Sequence, residues 1–368
     1  MKKIAILLPD LRSGGVERVR ILLAKEFSKN DYIVEFVLLK AKGELLKEAL
    51  SDFVVVELGV NRIRELVFAL PRYLIKNKPD ILLVGMWPLT GIACILTTIF
   101  SKKTKLIVSE HVNLELSPTF TRIEKKFLAQ FGRFIYAKAN SVIAVSEGVA
   151  DSISTLTGLS RERIKVIYNP VRNDSFIVNN DGFVDPGQAW WNGSNYKIIA
   201  VGSLKKQKGF EVLISAMKVV ILSLDAKLII LGEGELRGDL EAQIDSLELK
   251  NNICLLGYKE SPYDYLNKAN LFVLSSHWEG LGNVITEALT AGVPVVATNC
   301  KSGPSEILCG GRYGKLVPVG DSLSMANAII ESLKSVHDTA ALKMRARAFE
   351  PSYAAEEYMR EFKWKNSR

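Results

Sequence analysis

The sequence predicts an α/β protein built of two doubly wound, Rossmann-like domains facing a cleft, and three observations carry that expectation. Apolar strands alternate with amphipathic helices along the chain, a pattern that implies parallel sheets covered on both faces. After a polar stretch, 173–196, the alternation starts afresh, which implies a second sheet and a crevice between the two. The length, 368 residues, suits two domains better than one.

The first strand is "KKIAILLP" (2–9). It mimics the start of a signal peptide, but Asp10 and Arg12 end the apolar region early and no small-residue cleavage site follows. "GGVERVRILLAKEF" (14–27) then places Val16, Val19, Leu22, Leu23 and Phe27 on one helical face. Strands "YIVEFVLL", "DILLVG", "KLIVSEH" and "SVIAVS" follow, and "VIYNPV" (166–171) closes the half. The run 81–100 is uncharged and long enough for a membrane span. Pro88, two glycines and a "KPD" lead-in favour a buried strand (81–85), a loop and a helix from about residue 90. The second half reads "KIIAVGSL", "AKLIILGEG", "NICLLG", "LFVLSS" and "PVVAT" as strands. We set the domains at 1–172 and 173–351. The "AAEEYMREFKWK" pattern marks an amphipathic helix without naming its partner, and we place that helix, 352–368, on the N-terminal domain. Trp190 and Trp191 read as linker packing.

Four cysteines (Cys94, Cys254, Cys300, Cys309) lie scattered without CxxC spacing, and only three histidines accompany them. That disfavours zinc and disulfide frameworks and favours a reducing, cytoplasmic setting.

Chemistry concentrates in "WEGLGNVITEALTAGVPVVAT" (278–298), a loop and helix after the strand "LFVLSS". Loops at the carboxyl ends of strands are where open α/β sheets bind ligands. Gly280 and Gly282 admit close approach of backbone, and the first helical N–H groups, around Leu281–Asn283, suit an anion. Glu279 and Glu287 stand eight positions apart, roughly 12 Å if wholly helical. They cannot share one small ion. They suit an extended ligand with hydroxyls at both ends and diphosphate between, or else they are a solvated turn and a helix-face Glu. The "LIILGEGELRG" segment (228–238) nearly matches G-x-G-x-x-G, but Arg237 replaces the third glycine and Glu233 would repel a pyrophosphate, so NAD is not expected. No Asp-x-Asp occurs in the chain, so the usual metal clamp on a sugar diphosphate is missing and no metal is expected.

The segment 278–298 closely resembles the E-x7-E motif of the retaining glycosyltransferases of family 4, which have the GT-B fold. Matching segments run in the family's order along almost the whole chain: "SGGVER" (13–18), "SEHVN" (109–113), "VIAVSEGVA" (142–150), "VIYNPV", "VGSLKKQKGFEVLI" (201–214) and "CKSGPSEIL" (300–308). The resemblance implies that Glu279 bonds the donor sugar's hydroxyls and that Glu287 holds the ribose. Backbone N–H groups of Gly280, Leu281, Gly282 and Asn283 would hold sugar and diphosphate, and Lys208 would neutralise the departing diphosphate. Ser203 stands where the family usually has Arg, so a hydroxyl replaces a charge in the phosphate clamp. His111 would contact donor sugar and acceptor, and Gly14 and Gly15 would approach phosphate or acceptor. The expected activity is transfer of a hexose or N-acetylhexosamine from a UDP-sugar to a glycan acceptor, lipid-linked as in bacterial surface polysaccharide synthesis. It would proceed by front-face displacement, without cofactor. The rivals are a sugar-nucleotide hydrolase or epimerase of the same fold, and a non-catalytic membrane scaffold.

Charge is uneven. Residues 1–173 hold 27 Lys and Arg against 17 Asp and Glu, and the remainder 21 against 23. A basic half suits an anionic membrane surface or a phosphorylated substrate; no nucleic-acid partner is expected. "TRIEKKFLAQFGRFIYAKA" (121–139) interleaves Phe127, Phe131, Phe134 and Ile135 with Lys125, Lys126, Arg133 and Lys138. That pattern fits either a helix lying on an anionic leaflet or a core face. We expect a peripheral enzyme on the cytoplasmic face of the cell membrane.

Overall fold

A computed structural model of the chain describes residues 1–12, 14–117, 120–171, 186–191, 193–259 and 261–363. Ser13 of the glycine loop, most of the polar linker (173–185 and Asn192) and the last five residues of the expected C-terminal helix lie outside the described residues. The chain divides into two compact units, residues 1–171 with 349–368, and residues 172–348.

In the first unit, β1 (Lys2–Leu8), α1 (Gly15–Lys29), β2 (Tyr32–Leu38), α2 (Leu46–Asp52), β3 (Val54–Glu57), α3 (Leu66–Asn77) and β4 (Ile81–Gly85) come first. They are followed by α4 (Leu89–Phe100), β5 (Lys105–Glu110), α5 (Arg122–Tyr136), β6 (Ser141–Ala144), α6 (Glu147–Thr157) and β7 (Ile164–Val166). The strands form one parallel sheet in the order β3-β2-β1-β4-β5-β6-β7. Strand order reverses between β1 and β4, and the crevice at such a reversal is the usual ligand site of an open α/β sheet. The uncharged run 81–100 is β4, a turn and α4. No helix among the described residues is long and apolar enough to cross a membrane.

In the second unit, α7 (Pro186–Trp191), β8 (Tyr196–Val201), α8 (Phe210–Ser223), β9 (Ala226–Leu231), α9 (Arg237–Ser246), β10 (Ile253–Gly257) and α10 (Tyr263–Leu266) lead. Next come β11 (Leu271–Leu274), α11 (Asn283–Ala291), β12 (Val295–Thr298), α12 (Pro304–Ile307), β13 (Lys315–Val317), α13 (Ser322–Lys334) and α14 (Thr339–Ala346). The parallel sheet runs β10-β9-β8-β11-β12-β13, with its reversal between β8 and β11. Its core is aliphatic, with Ile198, Leu228, Ile230, Leu271 and Val296 of the sheet under Leu213, Met217 and Ile329 of the helices. Trp191 is buried and its Nε1 donates to the Lys227 carbonyl (3.3 Å), while the Lys227 ammonium stands 4.8 Å over the Trp190 ring. The Trp pair anchors α7 to the sheet.

The last helix, α15 (Pro351–Lys363), belongs to the first unit. It buries Ala354, Ala355, Tyr358, Met359 and Phe362. Phe362 packs edge-on to Phe27 (5.2 Å between ring centres) and to Tyr32 (5.8 Å). Each such ring, fully covered, contributes about 1.5–3 kcal/mol. This contact alters the reading of α1. Val19, Leu23 and Phe27 are buried as expected, but Val16 and Leu22 are only half-buried, and Arg20, Ile21 and Ala24 join the buried set. A helix covered by both a sheet and a second helix buries more than one stripe.

Candidate active site

In the second unit, the loops after β8 and β11 flank the strand-order reversal. The loop after β11 is drawn onto the Lys206–Lys208 turn by a series of bonds. His277 N donates to the Gln207 carbonyl (2.8 Å), Gln207 Nε2 to the Trp278 carbonyl (3.0 Å), and Ser275 Oγ to the Lys208 carbonyl (2.7 Å). Gly209, at φ 58°, closes the turn, and a Cβ there would overlap the Ser275 carbonyl. Glycine is required on both counts.

These contacts set Lys208 Nζ as a donor to Glu279 Oε1 at 2.6 Å, and Ser276 Oγ donates to the same oxygen at 2.6 Å. The pair is largely shielded, with side chains 17% and 7% exposed. Gly202 makes room for the lysine stem, since an added Cβ would stand 3.1–3.2 Å from its methylenes. Among the described residues, Glu279 Oε2 takes no hydrogen bond. The nearby Cys300 thiol is pushed up to about 12, by burial first and by the Glu279 charge second, which leaves it an inert thiol.

Gly282, at φ 90°, precedes α11, whose first residue is Asn283. Leu281 is buried beneath the segment 300–308, where a Cβ on Gly303 would overlap the Leu281 carbonyl. Glu279 therefore lies in the loop ahead of the helix and Glu287, half-buried, on its second turn. Ser203 is exposed. Arg237, at the place of a third glycine, bonds Glu233 and Glu241 (both 2.9 Å) in an exposed ion cluster.

The remaining expected site residues, Gly14, Gly15 and His111, belong to the first unit. Gly14 caps α1, and the Glu17 carboxylate lies where a Gly14 side chain would sit. Burial, and secondarily Asp10, raises the Glu17 carboxyl above its ordinary range. This helix start thus already holds a carboxylate of its own. His111 follows β5 and is 6% exposed. Its Nε2 faces Arg20 Nη2 at 3.2 Å and Ser109 Oγ at 3.1 Å. Burial, with the Arg20 charge second, holds it well below the usual imidazole value. Next to it, Glu110 is buried and accepts from Thr90 Oγ1 (2.6 Å), Tyr136 OH (2.6 Å) and Trp87 N (3.1 Å). Burial raises its carboxyl above the ordinary value.

Ser276, Gln207, Ser109 and Arg20 escaped the sequence reading. Two successive hydroxyl residues at a strand's carboxyl end, Ser275 and Ser276, were a usable signal. Arg20 shares a helical face with Ala24 and Phe27, which was the other. Among the described residues no three His, Cys, Asp or Glu side chains cluster as a metal site would require.

The profile of Glycosyl transferases group 1 matches residues 186–349, and that of Glycosyltransferase Family 4 matches residues 13–175. An uncharacterized glycosyltransferase of Methanocaldococcus jannaschii is 31% identical over 311 residues, covering 80% of this chain and 68% of the relative. The N-acetylgalactosamine-N,N'-diacetylbacillosaminyl-diphospho-undecaprenol 4-alpha-N-acetylgalactosaminyltransferase of Campylobacter jejuni is 29% identical, covering 70% of this chain and 69% of that one. In fold, the chain is similar to Anabaena HepE, solved with UDP and glucose, at a TM-score of 0.80 and 21% identity, over 98% of this chain and 99% of that one.

Proposed function

Since this chain belongs to the group 1, family 4 glycosyltransferases of GT-B fold, we propose that it transfers a hexose or N-acetylhexosamine from a UDP-sugar to a lipid-linked glycan acceptor, with retention and without a metal. The observation that carries the donor assignment is the Lys208–Glu279 pair at the strand-order reversal of the second unit. Oε1 of Glu279 is engaged by Lys208 and Ser276, which leaves Oε2 to accept from a sugar hydroxyl. The lysine ammonium then counters charge on the diphosphate as the bond from the anomeric carbon to the phosphate oxygen breaks. The acceptor oxygen bonds to the same face of that carbon, and its proton passes to the leaving phosphate. The N-terminus of α11 faces the diphosphate, Ser203 contributes a hydroxyl, and Glu287 takes the ribose hydroxyls. His111 contacts the sugar and acceptor, and Gly14 and Gly15 approach the phosphate or acceptor. The basic first unit takes the acceptor. The absence of Asp-x-Asp supports the metal-free reading, and the named activity of the Campylobacter relative supports the lipid-linked acceptor.

The site of work in this reading is the cytoplasmic face of the membrane. On α5, Leu128, Gly132, Ile135 and Tyr136 are the buried residues, so Ile135 is core rather than surface. Ile123 (80%), Phe127, Phe131 and Phe134 (69%) are exposed instead. Helices α3, α4 and α5 pack side by side and add exposed Phe68, Ile75, Ile99 and Phe100. Arg72, Lys76, Lys102, Lys103, Lys126 and Arg133 are exposed around them. Apolar groups bordered by cations suit an anionic leaflet, and each Lys or Arg near such a surface contributes about 1 kcal/mol.

Calorimetric titration with a panel of UDP- and GDP-sugars tests the donor, followed by turnover with and without acceptor. Tight binding of one UDP-sugar and acceptor-dependent release of UDP are expected. Preference for a GDP-sugar, or equal turnover without acceptor, would overturn the reading.

A further inference from the structure

Arg20 is among the largest fully buried side chains of the protein, at 0% exposure. Its Nη2 bonds Ser109 Oγ and faces His111 Nε2 at 3.2 Å, its Nη1 donates to Tyr358 OH at 3.3 Å, and its guanidinium carbon lies 5.7 Å over the Tyr358 ring. Gly85 leaves space for it, because an added Cβ would stand 3.2 Å from Nη2. Among the described residues no carboxylate pairs with this buried cation. The adjacent Glu110 carboxylate is taken up by Thr90, Tyr136 and Trp87.

A guanidinium can only donate. The contact at Nε2 therefore demands the imidazole's lone pair, and the single proton of a neutral ring must then sit on Nδ1. His111 Nδ1 is buried and has no hydrogen-bond partner. The structure thus contains an imidazole whose acceptor side is filled and whose donor side has no partner.

We propose that Arg20 is the positioning residue of His111, holding the ring as the neutral Nδ1–H tautomer so that Nδ1–H is a fixed donor for a substrate oxygen. Tyr358 of α15 braces the guanidinium from behind and Ser109 shares its Nη2. The substrate half of this inference rests on the sugar-transfer reading; the tautomer half does not. Around the ring the titratable or charged groups are Arg20 from α1, Tyr358 from α15, reached through Arg20, and Glu110 beside it on β5. Of these, the Arg20 charge acts on the ring, and it opposes protonation.

Long-range proton–nitrogen NMR on the 15N-labelled full-length chain tests the proposal. The protein has three histidines, so a His111→Asn spectrum assigns the signals. The expected result is a protonated Nδ1 and an unprotonated Nε2 for His111, unchanged from about pH 8 down to about pH 5. In Arg20→Met the ring's pKa should rise from its wild-type position while staying below the ordinary imidazole value, because burial, the larger cause, remains. Transfer should acquire an acid limb at the same pH that the wild type lacks, and Arg20→Lys should restore part of the wild-type profile. An Nε2–H tautomer or ordinary titration in the wild type would overturn the proposal, even if Arg20→Met does not fold. If the tautomer is as stated but His111→Asn transfers sugar at the wild-type rate, the substrate half fails while the sugar-transfer reading stands.

Discussion

Removing Lys208 should separate its structural part from its chemical part. At 2.6 Å the Coulomb attraction is about 6 kcal/mol at an effective dielectric of about 20. Desolvation of both ions offsets much of this, and breaking a buried pair on one side costs about 3–5 kcal/mol. Because 17% of the Lys208 side chain is in contact with solvent, we expect the lower end, about 3 kcal/mol for Lys208→Met. Most of that penalty is the stranded Glu279 carboxylate, left with the Ser276 hydroxyl. Lys208→Met/Glu279→Gln should therefore regain at least about 1.5 kcal/mol relative to the additive sum. Urea denaturation of the four proteins of the cycle reads the coupling, and it is expected without nucleotide present. Turnover should behave differently: Lys208→Met should lower kcat more than it raises the donor KM, and the double variant should recover none of it. A coupling below about 0.5 kcal/mol would refute the claim that the two side chains form a shielded pair.

Glu287→Ala should weaken UDP itself by about 1.5–3 kcal/mol, whereas Glu279→Ala should spare UDP and impair transfer; equal loss of UDP in calorimetry would reject the division of roles. EDTA should leave the transfer rate intact, and restoration only by manganese or magnesium would require another phosphate clamp. Co-sedimentation should show binding to anionic but not neutral vesicles, fading with salt and weakened by Phe134→Ser with Ile123→Ser; equal binding to neutral vesicles would contradict the charged border. The raised Glu110 carboxyl gives a pH effect of definite sign. Its fold protonates more readily than the unfolded chain, so its contribution is full below about pH 4.3 and is lost as pH rises through the folded value. Thermal unfolding of Glu110→Gln across pH should lack that downward component, and an unchanged slope would count against a strained carboxylate there.

The fold was legible because its signal is periodic and local. Alternating strands and helices set both parallel sheets, and the restart near 196 set the second. The E-x7-E loop was legible for the same reason, as one strand–loop–helix unit. The Lys208–Glu279 bond joins residues 71 positions apart, and no local spacing encodes such a contact. The buried Arg20 was hidden because a lone arginine on an amphipathic helix ordinarily lies in water. Its burial depends on α15, more than 300 positions later, and on the bare Cα of Gly85. On α5 the sequence left one apolar stripe open to two readings, a core face or a helix lying on an anionic leaflet. Gly132 lets the helix approach Thr157 of α6 closely, which turns the phenylalanines outward.

The placement of α15 has a consequence for how the protein is made. The first unit is begun before residues 172–348 are synthesised and completed only after them. At ordinary rates of synthesis, the nascent first unit waits roughly 10–40 s for its closing helix. Throughout that time Phe27 and Tyr32 lack the ring of Phe362, and Arg20 lacks Tyr358. The imidazole of His111 therefore receives its braced neighbour only after the inserted unit has been synthesised. Birth order, as much as geometry, thus decides when Arg20 gains its last partner.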